Sequence, residues 1–396
     1  MSDSVAYKSS REGPSGPELA PLLKCAKWVA MRVLQVIDSL PLAGAEVLVK
    51  DMAPRLCTRG IDCAVAVLCK IGSPLESALE VSGVALLSTK VATLYSPQQV
   101  RPLAELMQGY DIVHVHLFPA QFWAVLAANR QRIPIPLITT EHNTWNARRR
   151  WWLRPFDAWM YSHYECIACN SQATAEELHR WCPKTVARTR VVPNGIPLES
   201  FESAAPAELP AVPQGMLRAV FVGRFEPQKD HLTLLRAVAQ VPNIHLLLVG
   251  DGSLRPQLEG QTRSLGIHDR VTFLGKRTDV SSILKASDVY VQSTTSDGFG
   301  IAACEAMAAG LPVVATDVPG LAQVVNGAGV LFPVGDHAAL ARELLALVSS
   351  PERRRHMAHA SRERARAFNI EATVDSYLEL YREALELTPL EVGPST

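Results

Sequence analysis

Short apolar runs alternate with amphipathic segments along the N-terminal half of the chain. Most of these runs are separated by segments of helical periodicity, the first of them over residues 45–56. The runs occupy residues 33–37, 64–68, 84–87, 112–115, 137–139, 167–169 and 191–192. Continuously apolar strands that alternate with helices are typical of a parallel sheet covered on both faces. The pattern therefore predicts a doubly wound α/β domain over residues 31–195.

The same alternation restarts in the C-terminal half and predicts a second domain over residues 216–368. Its apolar runs occupy residues 219–222, 245–249, 271–273, 289–291, 313–314 and 330–332. Residues 196–215 between the two series contain four prolines, which is typical of a linker. Two Rossmann-like domains joined by a linker face each other across a cleft, and ligands of such sheets lie at the carboxyl ends of the strands.

The two ends of the chain differ from these domains. Residues 1–30 begin with a polar segment that lacks the apolar core of a signal peptide, so we expect a disordered tail and a folded part that begins at Met31. Residues 369–388 predict a final helix, and residues 389–396 a short second tail. No run approaches 18 consecutive apolar residues, so no transmembrane helix is expected.

Composition narrows the class of protein. The chain of 396 residues is 48% hydrophobic and 20% charged, which excludes disordered, collagen-like and coiled-coil proteins. Basic and acidic residues number 39 each, so a protein held on nucleic acid by a strong basic excess is not expected. The eight cysteines form no dense framework, and the Cys166/Cys169 pair lacks further ligands at suitable spacing. We therefore predict no metal site and a cytoplasmic location.

The loop after the first strand argues against a nicotinamide enzyme. A dinucleotide-binding domain needs the pattern G-x-G-x-x-G at this point, and only Gly44 is present. A single glycine that opens a helix can approach a phosphate or a sugar, although a simple tight turn explains it equally well.

Two cations follow the first strand of the second domain. Arg224 comes directly after Gly223, and Lys229 precedes a helix whose N-terminus adds positive charge. An arginine fork and a lysine point charge at this position suit a diphosphate. The alternative is that both cations are only solvated.

The most specific stretch covers residues 293–310. Asp297 and Glu305 flank a Gly-Phe-Gly turn at the start of a helix, where the backbone N–H groups of residues 299–301 are expected to be free donors for phosphate or sugar oxygens. Glu305 stands among small apolar residues rather than on a polar face, which favours a ligand such as ribose hydroxyls. The alternative is that Asp297 caps the helix and Glu305 is solvated.

These motifs together resemble the retaining glycosyltransferases of family 4, which have the GT-B fold. The resemblance covers roughly residues 31–387 and implies that the final helix, residues 369–388, crosses back onto the N-terminal domain. Its motifs are GR-x4-K at residues 223–229, GDG at 250–252, FLG at 273–275 and DGFG-x4-EAM at 297–307. It implies that Arg224 and Lys229 bind the donor diphosphate and that Glu305 binds the ribose. The chain departs from the family where Asp297 replaces a glutamate and Ala43 replaces a glycine.

The N-terminal domain supplies the other wall of the expected cleft. The strand that ends in His116 matches the family pattern D-x-x-H-x-H, in which the second histidine approaches the donor sugar. Because His114 and His116 point to the same face of the strand, a buried structural pair is the alternative. The next strand ends in T-E-H-N, which resembles polysaccharide-building members. It provides the acceptor candidates Glu141, His142 and Asn143.

Residues 148–154 combine four arginines with two tryptophans. Arginine and tryptophan side chains suit the surface of an anionic membrane. The segment from Arg148 to Arg154 therefore predicts a membrane-docking patch beside the acceptor cleft, with buried tryptophans and solvated arginines as the alternative. Such a patch would place the protein at the inner face of the cell membrane.

The resemblance implies transfer of a sugar from a nucleotide-diphosphate sugar, UDP- or GDP-linked, to a saccharide or lipid-linked saccharide, with retention and without a metal or cofactor. The expected catalytic residues are Arg224, Lys229, His116 and Asp297. The expected donor-binding residues are Gly44, Gly223, Phe299, Gly300, Ile301 and Glu305. An epimerase or phosphorylase on the same fold, and a non-catalytic subunit that binds nucleotide sugar or membrane, remain alternatives.

Overall fold

The computed structural model describes residues 31–131, 135–146 and 148–387. The predicted tails over residues 1–30 and 389–396 lie outside the described residues. Met31 is only 2% exposed and packs at the edge of a hydrophobic core.

Seven strands form one parallel sheet in the N-terminal domain. They are β1 (Arg32–Ile37), β2 (Asp62–Val67), β3 (Ala85–Ser88), β4 (Ile112–His116), β5 (Leu137–Glu141), β6 (Cys166–Cys169) and β7 (Thr189–Val191). Their order in the sheet is β3-β2-β1-β4-β5-β6-β7, and every neighbouring pair is parallel. The order reverses between β1 and β4, and a crevice therefore opens at the carboxyl ends of these two strands.

Helices cover both faces of this sheet. They are α1 (Gly44–Thr58), α2 (Pro74–Val81), α3 (Val100–Met107), α4 (Ala120–Gln131), α5 (Arg154–Ser162) and α6 (Gln172–Trp181). Apolar side chains of α1 and α2 form one core with one face of the sheet, and those of α3 to α6 form a second core with the other face. Burial on both faces explains why the strands read as continuous apolar runs.

Six parallel strands form the sheet of the C-terminal domain. They are β8 (Leu217–Val222), β9 (Ile244–Val249), β10 (Val271–Gly275), β11 (Val289–Gln292), β12 (Val313–Thr316) and β13 (Val330–Phe332). Their order is β10-β9-β8-β11-β12-β13, so a second reversal lies between β8 and β11. The helices of this half are α7 (Leu198–Glu202), α8 (His231–Ala239), α9 (Arg255–Ser264), α10 (Val280–Lys285), α11 (Ile301–Ala308), α12 (Pro319–Val325), α13 (His337–Ser349) and α14 (Pro351–Ala365). The predicted class, two doubly wound α/β domains, is confirmed.

The segment expected as a linker, residues 196–215, packs on the C-terminal domain. It contains helix α7, whose Phe201 is 6% exposed and belongs to the core of that domain. Further along, the Ala207 N–H donates to the Ser282 carbonyl at 2.9 Å. Much of the segment is irregular chain, but an apolar side chain at position 201 attaches it to a core.

The final helix, α15 (Ile370–Leu387), packs on the N-terminal domain. Its inner face contributes Val374, Tyr377 and Tyr381 to the core shared with α1 and α2. On the rim, Glu371 accepts from Arg55 at 2.8 Å and from Arg59 at 2.7 Å, both on α1. The chain that leads into α15 runs beside the chain that leaves the N-terminal domain, since the backbones of residues 196 and 368–370 exchange hydrogen bonds.

Candidate functional site

The two sheet reversals face each other, and α1 of one domain lies against α11 of the other. A Cβ placed on Gly44, the first residue of α1, would be 3.1 Å from Cδ1 of Ile301, the first residue of α11. A side chain at position 44 would therefore press on Ile301, which gives the glycine a reason beyond a tight turn. The carboxyl ends of β1, β4, β8 and β11 thus enclose one interdomain site.

The two predicted cations lie at the end of β8. Arg224 is exposed, and its side chain makes no hydrogen bond to any described residue. Lys229 is less exposed, and its Nζ forms an ion pair with Oδ2 of Asp297 at 2.8 Å. One cation is thus free to meet an anionic ligand, and the other is held by a carboxylate of the same domain.

Both oxygens of Asp297 are occupied by neighbouring groups. Oδ2 also accepts from Nε2 of Gln292 at 2.9 Å, and Oδ1 accepts from the Phe299 N–H at 3.1 Å. Burial acts to raise the pKa of Asp297. The charge and hydrogen bond of Lys229, together with hydrogen bonds from the backbone of Phe299 and Gly300, outweigh it and hold the pKa below the ordinary value. Asp297 is therefore ionised and holds the loop and the lysine in place.

The Gly-Phe-Gly turn differs in one respect from the sequence expectation. The Phe299 N–H is not a free donor, because Asp297 accepts it, and the phenyl ring packs edge-on against Phe368 with centroids 5.5 Å apart. Gly298 lies so close to the other domain that a Cβ there would stand 2.0 Å from the His142 carbonyl oxygen. Gly300 has φ +91°, a conformation that favours glycine, and it precedes the first residue of α11.

Glu305 lies on α11, where the helix faces the N-terminal domain. Its carboxyl makes no hydrogen bond to another residue in the described part of the chain. Burial, followed by repulsion from Asp51 on α1, raises the pKa of Glu305 to about 8, and Lys50 opposes that rise. A desolvated carboxyl without a partner, at the interdomain site, is suited to receive hydroxyl groups of a ligand.

The predicted histidine, His116, is fully buried at the end of β4. Its Nε2 lies 2.8 Å from Oε1 of Gln35, and its Nδ1 lies 3.1 Å from Nε2 of His142. Burial, followed by the neighbouring His114 and His142, lowers the pKa of His116 well below its ordinary value. Both ring nitrogens are engaged, which is the arrangement expected of the structural alternative, and the ring reaches the site only through His142.

The three acceptor candidates have different surroundings. Oε1 of Glu141 accepts from Gln121 at 2.6 Å and from the Tyr161 hydroxyl at 2.8 Å, so this carboxylate is bound within its own domain. His142 is 8% exposed and lies against the loop of Gly298. Asn143 is exposed, and its Cα lies 3.0 Å from the point that a Cβ on Gly298 would occupy. His142 and Asn143 therefore lie at the interdomain site, whereas Glu141 supports it from behind.

Sequence reasoning missed two carboxyl groups in the same cleft wall. Asp38 follows β1 and accepts the Ala120 N–H at 2.7 Å, while Glu46 lies in the first turn of α1 and is 8% exposed. Burial raises the pKa of each to about 7, and Arg224 of the other domain partly offsets the rise at Glu46. An acidic residue in a first helical turn is common, so the sequence carries no signal for this burial.

The segment predicted to dock on membranes separates into buried and exposed parts. Arg148 lies 3.9 Å above the Phe118 ring and pairs with Asp157 at 3.3 Å, and Arg149 donates to the Thr144 carbonyl at 2.7 Å. These two arginines are largely buried, in contrast to the expectation that the whole segment is a cationic surface. The exposed part, here called the aromatic patch, consists of Trp145, Arg150, Trp151 and Trp152.

No helix among residues 31–131, 135–146 and 148–387 combines the length and apolarity needed to cross a bilayer. Among the same residues, no group of three or more His, Cys, Asp or Glu side chains is arranged to hold a metal ion.

Two protein-family models match the chain, one for each domain. Residues 42–200 match the model described as Glycosyltransferase Family 4, and residues 210–364 match that of Glycosyl transferases group 1. The boundary between the two matches falls within the segment that joins the domains.

Curated relatives include several glycosyltransferases. A D-inositol 3-phosphate glycosyltransferase of Segniliparus rotundus is 34% identical over 55% of this chain and 52% of its own length. The lipopolysaccharide core biosynthesis glycosyltransferase LpsE of Rhizobium meliloti is 30% identical over 56% of this chain and 65% of its own length. A D-inositol 3-phosphate glycosyltransferase of Saccharomonospora viridis is 31% identical over 72% of this chain and 73% of its own length. The chain thus spans between about half and three quarters of these relatives.

The fold also matches solved structures. The crystal structure of Anabaena HepE in complex with UDP and glucose superposes with a TM-score of 0.77 at 21% identity, covering 88% of this chain and 98% of that one. At this identity the likeness concerns the fold, and the family is shown by the sequence matches. The chain therefore belongs to the family 4 glycosyltransferases and has their GT-B fold.

Proposed function

We propose that the protein transfers a sugar from a nucleotide-diphosphate sugar to a hydroxyl of a saccharide or lipid-linked saccharide, with retention at the anomeric carbon and without a metal. The observation that supports this proposal is that Arg224 and Glu305 both face α1 of the other domain, where they interact with Glu46 and with Asp51. Lys229 is held beside them by Asp297. The complexes of HepE with UDP and with UDP-glucose favour a UDP-sugar over a GDP-sugar as donor.

Arg224 and Lys229 would stabilise the departing diphosphate. Negative charge grows on that group as the bond to the sugar breaks, and fixed cations in a partly buried site oppose it without reorganisation of water. Arg224 is already free, whereas Lys229 must share its ammonium between Asp297 and the ligand. In this role Asp297 positions Lys229. The aspartate, although shorter than the glutamate of the family, pairs with Lys229 and also accepts a hydrogen bond from the Phe299 backbone N–H.

Retention would follow from attack on the face that the diphosphate leaves, with a diphosphate oxygen taking the proton of the attacking hydroxyl. His116 has both ring nitrogens engaged, which supports a positioning role rather than that of a base. Contacts between the domains would exclude water: the Ser171 hydroxyl donates to the Gly298 carbonyl at 2.6 Å.

The acceptor side would lie beside a membrane. LpsE acts, by its name, in lipopolysaccharide core biosynthesis, and acceptors of that kind are attached to lipid. The aromatic patch suits the same surface, because Trp151 is 80% exposed and Trp152 is 53% exposed beneath the guanidinium of Arg150. These features support the proposal that the protein is peripheral, at the inner face of the cell membrane.

Nucleotide binding tests the proposed function. Calorimetry with UDP, GDP, ADP and CMP in the presence of EDTA should show selective binding of one nucleoside diphosphate, UDP by preference. Arg224→Ala should weaken this nucleotide binding. The control is Arg101→Ala, which removes an exposed arginine of α3 and should leave the binding unchanged. Formation of a glycosylated acceptor from the corresponding donor excludes an epimerase, and activity without inorganic phosphate excludes a phosphorylase. Absence of binding to any nucleotide would favour a non-catalytic subunit.

Vesicle sedimentation tests the membrane proposal. Binding to vesicles that contain anionic lipid should exceed binding to neutral vesicles, and Arg150→Glu combined with Trp151→Ala should abolish the excess. The control is Arg101→Glu, which reverses an exposed arginine elsewhere in the same domain. Equal sedimentation of all three proteins would contradict the proposal.

A further inference from the structure

Two cysteine side chains meet at the opposite end of α1 from Gly44, away from the interdomain site. Cys57 lies in the last turn of α1, and Cys63 is the second residue of β2. Only a short turn separates these elements, and within it the Gly60 N–H donates to the Cys57 carbonyl at 3.0 Å. Sγ of Cys57 lies 3.7 Å from the Cys63 carbonyl oxygen and shares a hydrogen bond with the Cys63 thiol. The turn therefore holds the two thiols side by side.

The two thiols differ in their access to solvent. Of the seven cysteines in the described part of the chain, only Cys57 is exposed. Cys63 is 4% exposed and packs in the core that β2 shares with α1. A reagent that approaches this pair from solvent therefore meets Cys57 first, with a second thiol directly behind it. An accessible thiol beside a second thiol that can resolve it is the arrangement found in redox-sensing proteins.

The contact also separates the acidities of the two thiols. The hydrogen bond from the Cys63 thiol, helped by one from the Cys63 backbone, lowers the pKa of Cys57 to about 6, although partial burial and the charge of Asp62 oppose this change. The same hydrogen bond, followed by burial, raises the pKa of Cys63 well above its ordinary value. At neutral pH Cys57 is therefore mostly a thiolate, which is the nucleophilic form, and Cys63 keeps its proton.

We propose that Cys57 and Cys63 form a redox modification site, which a hydroperoxide converts to a disulfide and a thiol reductant restores. The Cys57 thiolate attacks a peroxide oxygen and the O–O bond breaks. The departing oxygen takes a proton from solvent, and Cys57 becomes a sulfenic acid. The Cys63 sulfur then attacks the sulfenic sulfur, and the S–O bond breaks as the hydroxyl group takes the Cys63 proton and leaves as water. Two electrons thus pass from the two thiols to the peroxide.

Peptide mapping of the full chain tests this link, and it needs neither a sugar donor nor an acceptor. Trypsin cuts after Arg55, Arg59 and Lys70, so Cys57 and Cys63 fall in the separate peptides 56–59 and 60–70. After treatment with hydrogen peroxide and alkylation of the remaining thiols, mass spectrometry should find these two peptides joined. Dithiothreitol should separate them. Recovery of the two peptides unjoined after peroxide, or a link that dithiothreitol does not reverse, would overturn the proposal.

Peptide 60–70 also contains Cys69, which supplies a matched control. Cys69 is half-buried, and its Sγ donates to the Val91 carbonyl at 3.2 Å. The joined peptides should persist in Cys69→Ser and disappear in Cys63→Ser, where a 1,3-diketone should instead trap the sulfenic acid at Cys57. Loss of the link in Cys69→Ser, or its persistence in Cys63→Ser, would show that Cys63 is not the partner.

The pH dependence of alkylation tests the contact between the thiols in the wild-type protein, without a substitution in the core. The rate at which iodoacetamide modifies Cys57 should rise with pH and become constant above about pH 7, because the pKa of this thiol is lowered to about 6. Cys63→Ala removes the hydrogen bond, so the midpoint should move towards the ordinary thiol value of 9.0. A wild-type midpoint near 9.0 would contradict the contact on which the proposal depends.

Discussion

Replacement of Glu305 by glutamine should stabilise the protein while it weakens donor binding. In the native state burial and the nearby Asp51 raise the pKa of Glu305 from 4.5 to about 8, so the carboxyl keeps its proton at neutral pH. In the unfolded chain the same carboxyl ionises near pH 4.5. The folded state thus loses stability relative to the unfolded state as pH rises from 4.5 to 8. Glutamine has the same shape and does not ionise, so it avoids this loss.

The magnitude follows from the separation of the two pKa values. Each pKa unit corresponds to about 1.4 kcal/mol, so the loss in the wild-type protein is at most about 3 kcal/mol at pH 7 and at most about 5 kcal/mol above pH 8. For a domain of roughly 150 residues, 1 kcal/mol shifts the unfolding temperature by about 2–4 °C. Glu305→Gln should therefore raise the unfolding temperature at pH 7 by at most about 6–12 °C.

Thermal unfolding between pH 4 and pH 9 tests this reasoning. The difference in unfolding temperature between Glu305→Gln and the wild-type protein should be absent near pH 4. It should increase above pH 4.5 and become constant above pH 8. Glu105→Gln, a change at an exposed carboxyl of α3, should produce no such difference. Calorimetry on the same samples should show weaker binding of UDP to Glu305→Gln. A variant that is no more stable than the wild-type protein at pH 8 would refute the burial argument, and unchanged UDP affinity would remove Glu305 from the site.

Three further predictions concern charges at or near the cleft. Asp297→Asn removes the partner of Lys229 and should lower the free energy of unfolding, measured with urea at pH 7, by about 2 kcal/mol. Because the native pKa of Asp297 is lowered, the difference in stability between the variant and the wild-type protein should vanish as the pH falls below 3.8 and through that pKa. Glu46→Gln should leave UDP binding intact and, because the native pKa is raised to about 7, should increase stability most above pH 7, as measured by thermal unfolding. Arg148→Glu should cost about 3 kcal/mol or more because it leaves Asp157 buried without a cation, whereas Arg150→Glu should leave the free energy of unfolding unchanged.

The sheets could be predicted from the sequence because burial on both faces imposes continuous apolar runs. Each predicted run corresponds to a strand, from residues 33–37 in β1 to residues 330–332 in β13. The attachment of residues 196–215 could not be predicted in the same way. A single phenylalanine among prolines and charged residues does not reveal that a core lies next to it. Phe201 is buried because it packs into the core of the folded C-terminal domain.

The cationic segment shows a second limit of sequence patterns. Arg148, Arg149 and Arg150 are adjacent and chemically identical, yet the first two are largely buried and the third is exposed. Arg148 stacks on Phe118 and pairs with Asp157, nine positions later. Arg149 donates to the Thr144 carbonyl and lies near Glu177. Composition therefore predicts that cations gather here, but only packing determines which of them can meet a membrane.

The sequence allows two interpretations of the histidines at the end of β4, a structural pair or a part of the site, and the hydrogen bonds show that these need not exclude each other. His116 is buried as a structural histidine would be, and through His142 it also reaches the loop of Gly298 in the C-terminal domain. The sequence does carry a signal for this connection. Gln35 interrupts the apolar residues that follow Arg32 in β1. Tyr377 and Tyr381 share one face of α15 because they are four residues apart. A polar residue in a buried strand needs partners. One partner of Gln35 is His116, and the other, Tyr381, comes from a helix almost 350 positions later in the chain. The final helix thus has a chemical reason, besides its apolar face, to pack on the N-terminal domain.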